Sequence, residues 1–302
     1  MKSGFVSILG RPNAGKSTLM NQLVGQKVSI VADKPQTTRT SIQGVMTVEG
    51  AQVVFIDTPG IHRSDTSLNK RMMDAVRDSL DERDLLIFIA DASKPFNAGD
   101  EKAISILRTD GPPVVLAFNK IDAVKAKGDL LPLMQEYSKR FDFAEYVPMS
   151  ALTGEGLGDL RNAVLTRLPE GPQYFPEDHV TDQPARFLAS ELIREKVLLA
   201  THQEVPHATN VTVDKWDETP GFVRIYATIM VERDGQKAII IGSKGSMLKH
   251  IGIEARTEME ALFGIRIYLD LHVKVEPGWR EKRIYLDTVD WRTMSGRDTD
   301  EK

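Results

Sequence analysis

Short apolar runs alternate with segments of helical periodicity through the first half of the chain. The apolar runs lie at residues 5–9, 53–56, 85–90, 114–118 and 146–148. The amphipathic segments between them lie at residues 16–24, 67–80, 100–108 and 157–168. Runs that are apolar at consecutive positions are typical of strands buried on both faces of a parallel sheet. The alternation predicts an α/β domain with a mostly parallel sheet and helices on both faces. Residues 41–48 alternate polar and apolar positions, which predicts an edge strand beside 53–56.

The pattern changes after Leu168, where prolines and glycines replace helix formers over residues 169–184. This stretch predicts an interdomain linker. Beyond it, helical patterns lie at 186–201 and 246–263, and strand patterns lie at 210–216, 223–231 and 266–275. That order predicts an α+β domain. The predicted organisation is therefore a first domain at 1–170, a linker at 171–185, a second domain at 186–290 and a polar tail at 291–302.

Composition narrows the classes of protein that remain. The 302 residues suit two domains, and the hydrophobic fraction of 41% supports packed cores. The absence of cysteine excludes disulfides, thiolate zinc sites and cysteine nucleophiles. A net charge of −4 argues against a broadly basic surface, but it leaves room for a local basic site. The apolar runs are too short to cross a bilayer, and residues 1–10 lack the features of a signal peptide.

A phosphate-binding loop follows the first predicted strand. The sequence GRPNAGKS at 10–17 matches G-x-x-x-x-G-K-[ST] and opens a predicted helix, which is the context that the motif requires. Its backbone N–H groups and the helix N-terminus would face phosphate oxygens. We expect Lys16 to reach the β- and γ-phosphates and the Ser17 hydroxyl to bind Mg²⁺. The alternative, a glycine-rich turn without a ligand, is disfavoured by the strand–loop–helix setting. The predicted phosphate-binding residues are Gly10, Arg11, Pro12, Asn13, Ala14, Gly15, Lys16 and Ser17.

A second nucleotide motif, D-x-x-G, ends the predicted strand at 53–56. Its residues, also predicted to bind phosphate, are Asp57, Thr58, Pro59 and Gly60. We expect Asp57 to hold Mg²⁺ through a water and the Gly60 N–H to meet the γ-phosphate. Residues 35–40 between the two motifs occupy the place of a switch loop, where we favour Thr38 over Thr37 as a further Mg²⁺ ligand. A threonine-rich surface loop is the alternative for that segment.

The sequence Asn119-Lys120-Ile121-Asp122 follows an apolar strand and matches the guanine-reading motif N-K-x-D. The Asp122 carboxylate can accept from guanine N1–H and N2–H₂, whereas adenine presents a lone pair at N1, so this residue also disfavours an ATPase or kinase. We expect Asn119 and Lys120 to join this motif to the phosphate loop and to cover the base. The later pair Ser150 and Ala151 belongs to an S-A-x motif, in which the Ala151 N–H would meet guanine O6. The motifs together predict that domain 1–170 binds GTP.

The residue after Gly60 is Ile61, where Ras-like GTPases carry the glutamine that orients the attacking water. An isoleucine cannot do this. We therefore predict slow intrinsic hydrolysis, on the order of 10⁻⁴ to 10⁻² s⁻¹. Asn13 is a candidate ligand for K⁺, which would supply charge beside the phosphates. The alternative for Asn13 is a side chain that stabilises the loop.

The second domain carries I-G-x-x-G between an apolar run at 238–241 and an amphipathic helix. This segment resembles the G-x-x-G loop of KH domains, which clamps the backbone of about four single-stranded nucleotides. The alternative is a tight turn between two packed elements. We expect Ile240, Ile241 and Ile251 to line an apolar groove under the bases. The predicted RNA-binding residues are Ile241, Gly242, Ser243, Lys244, Gly245 and Lys249.

With these motifs in order, and with IGSKGSMLKHIGIEAR at 241–256, the chain resembles the bacterial Era family of GTPases. The resemblance implies a P-loop GTPase domain followed by a KH domain of type II. It implies GTP and GDP as ligands with Mg²⁺, and binding of the 3′ end of 16S rRNA during assembly of the small ribosomal subunit. It further implies that GTP favours the RNA-binding arrangement, and that the protein is cytoplasmic with peripheral association with the cell membrane. We expect a monomer. The alternative is a GTP-dependent switch that acts on a protein or membrane partner, with the KH-like module as a docking domain.

Overall fold

The computed structural model describes residues 1–61, 66–80 and 82–294. Residues 295–302 of the predicted tail lie outside these ranges. The contacts of the chain form two compact units. The first unit comprises Met1–Ser29, Thr40–Asp65 and Asn69–Asp182, and the second comprises Ile30–Arg39, Thr66–Leu68 and Gln183–Lys302.

The first unit is built on a sheet of six strands in the described part of the chain. The strands are β1 Lys2–Leu9, β2 Ile42–Val48, β3 Ala51–Asp57, β4 Leu85–Asp91, β5 Val114–Asn119 and β6 Glu145–Pro148. Their order is β2-β3-β1-β4-β5-β6, and only the pair β2–β3 is antiparallel. The predicted parallel sheet and the edge strand beside 53–56 are confirmed. The carboxyl ends of β1, β3, β4 and β5 meet at one edge, which is where open α/β sheets bind ligands.

The helices of this part of the chain are α1 Lys16–Val24, α2 Ser67–Asp78, α3 Ala98–Ile104, α4 Leu130–Ser138 and α5 Leu157–Arg167. Helix α3 begins two residues before the predicted start, because the Asn97 side chain accepts from Gly99 N at 2.8 Å and the Asp100 side chain accepts from Asn97 N at 3.2 Å. These reciprocal bonds form a capping box, which fixes the helix start.

Helix α4 was not predicted, because the exposed Leu131 and Pro132 interrupt its apolar stripe, although Leu133, Met134 and Tyr137 pack in or against the core. Leu131 is 64% exposed, whereas Tyr137 is buried. The Tyr137 ring meets Phe118 edge-on, with 5.3 Å between the ring centroids, and contacts Phe88 in the same way at 6.3 Å. Edge-to-face aromatic pairs at these distances are favourable beyond the area they bury. Tyr137 is therefore the aromatic anchor of this helix, beside the partly buried Leu133 and Met134.

Most of the segment predicted as a linker contacts the first unit. Val45 N donates to Val180 O at 2.8 Å, and the buried Gln52 side chain accepts from the N–H groups of Tyr174 and Phe175 at 2.8 and 2.9 Å. Gln52 also donates to Phe175 O at 2.9 Å. An edge strand has unpaired backbone groups, and this segment satisfies part of the β2 edge.

The second unit contains a sheet of three strands within the described residues: β7 Asn210–Thr219, β8 Phe222–Val231 and β9 Arg266–Val275. Strands β7 and β8 are antiparallel, and β8 and β9 are parallel. The helices are α6 Ala185–Ala200, α7 Val205–Ala208, α8 Asp234–Ile241, α9 Ser246–Phe263, α10 Arg283–Leu286 and α11 Trp291–Met294. The predicted α+β class is confirmed.

Two predictions about residues 238–251 are wrong. The apolar run at 238–241 is the last turn of helix α8, which the sequence did not predict as a helix. Ile240 and Ile251 are fully buried in the hydrophobic core and do not line a surface groove. The reason is helical periodicity, because three consecutive isoleucines on a helix point in different directions. Ile241, the third predicted groove residue, is partly buried and packs against the same core. Ile239 is 49% exposed, whereas Ile240 is 0% exposed.

None of the helices in the described ranges has the length and apolar character that a membrane span needs.

Candidate nucleotide-binding site and G-x-x-G surface

The phosphate loop lies between β1 and α1 and is organised around Lys16. The Lys16 ammonium donates to the carbonyl oxygens of Gly10 at 3.3 Å and Arg11 at 3.1 Å. Burial lowers the pKa of Lys16 to about 8, and the charge of Asp57 partly offsets this effect. At neutral pH the side chain therefore remains protonated inside a loop of backbone groups, where it can meet a polyphosphate.

Gly15 shows why a glycine precedes this lysine. Its φ of +101° lies in a region that L side chains rarely adopt, and a Cβ atom there would lie 2.2 Å from Asn119 Nδ2. Any larger residue would push Asn119 away from the loop. The glycine thus permits both the backbone turn and the close approach of β5.

The predicted magnesium ligands Ser17 and Asp57 lie together. Ser17 Oγ donates to Asp57 Oδ2 at 2.7 Å, and Ser29 Oγ donates to the same oxygen at 2.9 Å. Asp57 is fully buried at the end of β3. A hydroxyl beside a carboxylate is a donor set that suits Mg²⁺, which prefers oxygen ligands. These two residues therefore fit the ion.

The third predicted ligand, Thr38, belongs to a segment of the second unit. The buried Arg194 guanidinium of helix α6 donates to Thr37 O and, at 3.4 Å, to Gln36 O. Glu191 accepts from the same guanidinium at 2.6 Å. Arg194 therefore fixes the backbone just before Thr38. The only sequence signal for Arg194 was its position in an amphipathic helix.

The D-x-x-G segment packs closely against the phosphate loop. Thr58 Oγ1 donates to Ile8 O at 2.8 Å, and a Cβ on Gly60 would lie 2.8 Å from Pro12 Cγ. Glycine is therefore required for this approach. Ile61, the residue that replaces the usual glutamine, is only 8% exposed and lies in the hydrophobic core.

Asn119 joins the phosphate loop to the loop of the S-A-x motif. Its side-chain Nδ2 donates to Ala14 O at 2.8 Å, and its Oδ1 accepts from Ala151 N at 2.8 Å. The N–H that the sequence assigned to guanine O6 therefore donates to Asn119 in this structure. The contact of Ala151 N–H with guanine O6 stays a prediction, and this bond to Asn119 positions the N–H within the loop.

Asp122 lies in a short 3₁₀ turn at Ile121–Ala123, and its side chain is exposed. Lys120 precedes it with a φ of +67°, so the chain turns sharply between the strand and the carboxylate. Ser150 supports the neighbouring loop, because its Oγ accepts from Thr153 N at 3.1 Å and its N–H donates to Glu155 O at 2.9 Å.

Asp91 was not singled out from the sequence, yet it contacts this site. It ends β4, and its Oδ2 accepts from Lys120 Nζ at 2.9 Å. Burial alone would raise the pKa of Asp91, but hydrogen bonds from Ser93 and Lys120 outweigh burial and hold the pKa below its usual value. Asp91 could have been identified from its position directly after the apolar run 85–90, because that position lies at the sheet edge that carries the nucleotide motifs.

In the second unit the G-x-x-G loop links α8 to α9. Gly242, Lys244 and Gly245 have φ values of +71°, +50° and +78°. A Cβ on Gly242 would lie 2.7 Å from Met247 Cβ, so the turn is too tight for another residue there. The side chains of Ser243, Lys244 and Lys249 are exposed. They present a hydroxyl and two positive charges near the start of a long helix, where an anionic backbone is favoured.

An open groove of about 360 Å³ runs between α9 and β9, beside this loop. Its lining residues are Gly245, Leu248, Lys249, Gly252, Ile253, Arg256, Leu269 and Leu271. The apolar floor predicted from Ile240 and Ile251 is thus provided by leucines and by Ile253. Arg256 is an additional positive group that the sequence prediction missed, and it follows Lys249 on the same face of the helix two turns later.

Comparisons with known proteins agree with both domains. Residues 5–120 match the family model of the 50S ribosome-binding GTPases, and residues 204–280 match that of the KH domain. The chain is 49% identical over 280 residues to GTPase Era of Syntrophus aciditrophicus, covering 92% of this chain and 91% of that protein. It is 50% identical over 286 residues to GTPase Era of Geotalea daltonii, covering 94% of this chain and 96% of that protein.

Solved structures extend the similarity to the whole fold. A variant of Aquifex aeolicus Era bound to GDP·AlF₄⁻ is 41% identical with a TM-score of 0.92, over 96% of this chain and 99% of that chain. Era in complex with MgGDPNP and nucleotides 1506–1542 of 16S ribosomal RNA is 40% identical with a TM-score of 0.93, over the same shares of the two chains. With this identity over most of its length, and with every nucleotide motif in place, the chain belongs to the Era family of GTPases.

Proposed function

We propose that this GTPase couples the binding and hydrolysis of GTP to the binding of the single-stranded 3′ end of 16S rRNA during assembly of the small ribosomal subunit. The observation that carries the proposal is the presence of both sites in one chain, with their loops shaped for anionic ligands. The related Era bound to MgGDPNP and a 16S rRNA fragment supports the same pairing of ligands.

In the nucleotide site, each protein group has a defined task. Lys16 and the N–H groups of the phosphate loop bind the polyphosphate, and Asp122 selects guanine through N1–H and N2–H₂. Ser17 and Asp57 would hold Mg²⁺, with Thr38 as the further ligand that we expect from the sequence. When bound, Mg²⁺ supplies positive charge that offsets the charge on the β- and γ-phosphates.

Hydrolysis in this site is slow without an activator, because the buried Ile61 cannot orient water. Asn13 supports K⁺ as one source of assistance, since its side chain is exposed and its backbone has a φ of +61° within the phosphate loop. The experiment is to measure single-turnover hydrolysis in K⁺ and in Na⁺ at equal ionic strength. Faster hydrolysis in K⁺ supports this assignment, and equal rates remove it.

In the second unit, Lys244, Lys249 and Arg256 would contact RNA phosphates, and the apolar floor of the groove would face the bases. Most of the groove's lining is apolar. Binding should therefore depend on base identity as well as on charge. Ser243 and Lys244 form the loop that would clamp the RNA backbone.

The experiment uses two matched double variants. Ser243→Asp with Lys244→Asp places two negative charges in the G-x-x-G loop. The control, Ser138→Asp with Lys139→Asp, makes the same change in an exposed Ser-Lys pair at the end of α4. Binding to an oligonucleotide that copies the 3′ end of 16S rRNA is measured beside a scrambled oligonucleotide, in GDP and in a GTP analogue.

We expect the loop variant to lose RNA binding while it retains nucleotide binding, and the control to match the parent protein. GTP-dependent binding by the parent supports the coupling. Equal binding of the copied and scrambled sequences would instead favour the second candidate, a switch that acts on a protein or membrane partner. The proposal also includes a GTPase domain at 1–170, a linker at 171–185 and a KH domain at 186–290, in a cytoplasmic monomer with peripheral membrane association.

A further inference from the structure

A buried carboxylate lies between two loops of the nucleotide site without belonging to either motif. Asp91 ends β4, and its side chain is only 2% exposed. Its Oδ2 accepts from Lys120 Nζ at 2.9 Å and lies 3.9 Å from Arg11 Nη2. Lys120 belongs to the guanine loop, and Arg11 belongs to the phosphate loop. Asp91 therefore contacts cations from the loops at both ends of the nucleotide.

Lys120 extends this connection to the phosphate loop. Its ammonium donates to Asn13 O at 2.7 Å while it binds Asp91. A lysine ammonium has three donors and a flexible stem, so two fixed acceptors are needed to hold it in one position. With both acceptors in place, the stem of Lys120 is fixed next to Asp122. The ring of a bound base would contact that stem.

Arg11 is held in turn by a second buried carboxylate. Arg11 Nε lies 3.4 Å from Asp100 Oδ1, and Asp100 is only 1% exposed. The backbone N–H of Asn97 donates to the other oxygen of Asp100 at 3.2 Å, so this carboxylate is fixed to the start of α3. The Arg11 side chain is thus directed to two aspartates that are anchored on the sheet and on a helix.

Ser93 completes the environment of Asp91. Its Oγ donates to Asp91 Oδ1 at 2.5 Å, and its N–H donates to the same oxygen at 3.1 Å. One carboxylate oxygen is therefore fixed by the loop after β4, and the other is directed to the cations. Because both of its oxygens are bound, the Asp91 carboxylate is held in one position and can fix the loops that it contacts.

We propose that Asp91 is a positioning residue that joins the guanine loop to the phosphate loop through Lys120, and that this connection slows the release of guanine nucleotides. The inference rests on the proposed function only in that guanine nucleotides bind between these loops. Asp91 acts through Lys120 and does not touch the nucleotide. Its loss should weaken GTP and GDP to the same extent, which raises KM and leaves kcat unchanged.

The first test is a double-mutant cycle with Asp91→Asn and Lys120→Met, in which release of a fluorescent GDP is measured after addition of excess GDP. A hydrogen bond between two charged groups corresponds to roughly a tenfold change or more. We expect Asp91→Asn to accelerate release about tenfold in the parent protein and less than about twofold in the Lys120→Met background. Equal acceleration in both backgrounds would show that Asp91 does not act through Lys120.

The matched control is Asp84→Asn. Asp84 lies just before the opposite end of the same strand, where its Oδ2 accepts from Phe5 N at 2.7 Å. Asp84→Asn and Asp91→Asn each remove one carboxylate that accepts hydrogen bonds from backbone or side-chain donors. Thermal unfolding measures the effect of each variant on stability. We expect Asp84→Asn to leave GDP release unchanged. If it accelerates release as much as Asp91→Asn does, a general loss of stability explains both and the proposal is wrong.

Asp91→Glu provides the rescue, because it restores the charge and differs by one methylene. We expect it to recover most of the slow release, and no recovery would argue that charge is not the property that matters. These results are separable from failure of the proposed function. If the parent protein itself does not retain fluorescent GDP, the predicted nucleotide site is wrong. If the parent retains GDP and Asp91→Asn releases it at the same rate, only the role of Asp91 is rejected.

Discussion

Replacement of Asn119 by alanine tests the central contact of the nucleotide site. Asn119 is 2% exposed and joins two loops through Ala14 O and Ala151 N, each at 2.8 Å. Both backbone partners belong to buried residues. Alanine would leave the Ala14 carbonyl without its donor and the Ala151 N–H without its acceptor. The side chain itself is small, so the loss of packing is a minor part of the effect.

The magnitude follows from the two bonds. A buried polar group that loses its partner costs about 1–3 kcal/mol. Two such groups predict a loss of about 2–6 kcal/mol in the free energy of unfolding of the nucleotide-free protein. Nucleotide binding requires the same loop arrangement, so release should also accelerate. Even the lower figure exceeds the ~1.4 kcal/mol that corresponds to a tenfold change.

The assay combines urea unfolding with release of fluorescent GDP, and Gln52→Ala is the control. Gln52 is another fully buried amide that accepts from backbone N–H groups and donates to a carbonyl, but its partners are Tyr174 and Phe175. Both variants should lose stability, whereas only Asn119→Ala should release GDP faster. The reasoning is refuted if the two variants release GDP at the same rate, or if Asn119→Ala unfolds like the parent protein.

Three further predictions address other residues. Lys16 has a pKa of about 8 and binds phosphate when protonated. GDP affinity should thus be constant below pH 8 and fall by up to about tenfold per unit above it; calorimetry at pH 7 and pH 9 checks this, and equal affinities contradict it. Asp122→Asn should shift the binding preference from GTP towards xanthosine triphosphate, because the amide donates a hydrogen bond where the carboxylate accepts one. Competition binding checks this, and a retained preference for GTP contradicts the role of Asp122. Trp279→Phe should destabilise the protein by roughly 1–3 kcal/mol, since the buried indole Nε1 donates to Ala208 O at 2.7 Å; urea unfolding within about 0.5 kcal/mol of the parent would contradict this.

The elements that the sequence missed share a physical cause. In helix α4, Tyr137 packs on aromatic partners from strands distant in the chain, while the neighbouring apolar Leu131 is exposed and obscures the apolar stripe. Helix α8 contains three consecutive isoleucines, a run that periodicity cannot distinguish from a strand. In both cases tertiary packing decides which apolar side chains are buried. The same reason explains why Ile240 is in the core while Ile253 lines the groove.

The sequence by itself determined the nucleotide chemistry, because that chemistry depends on contiguous motifs. A phosphate loop, D-x-x-G and N-K-x-D each place backbone turns and reactive groups within a few residues, so their geometry is local. The same holds for the G-x-x-G turn, with its three positive φ values. Only the tertiary structure decided the contacts between motifs. Asp91 meets Lys120, and Asn119 meets Ala14 and Ala151, because neighbouring parallel strands end at one edge of the sheet. Such pairings join residues far apart in the chain, and no local pattern specifies them.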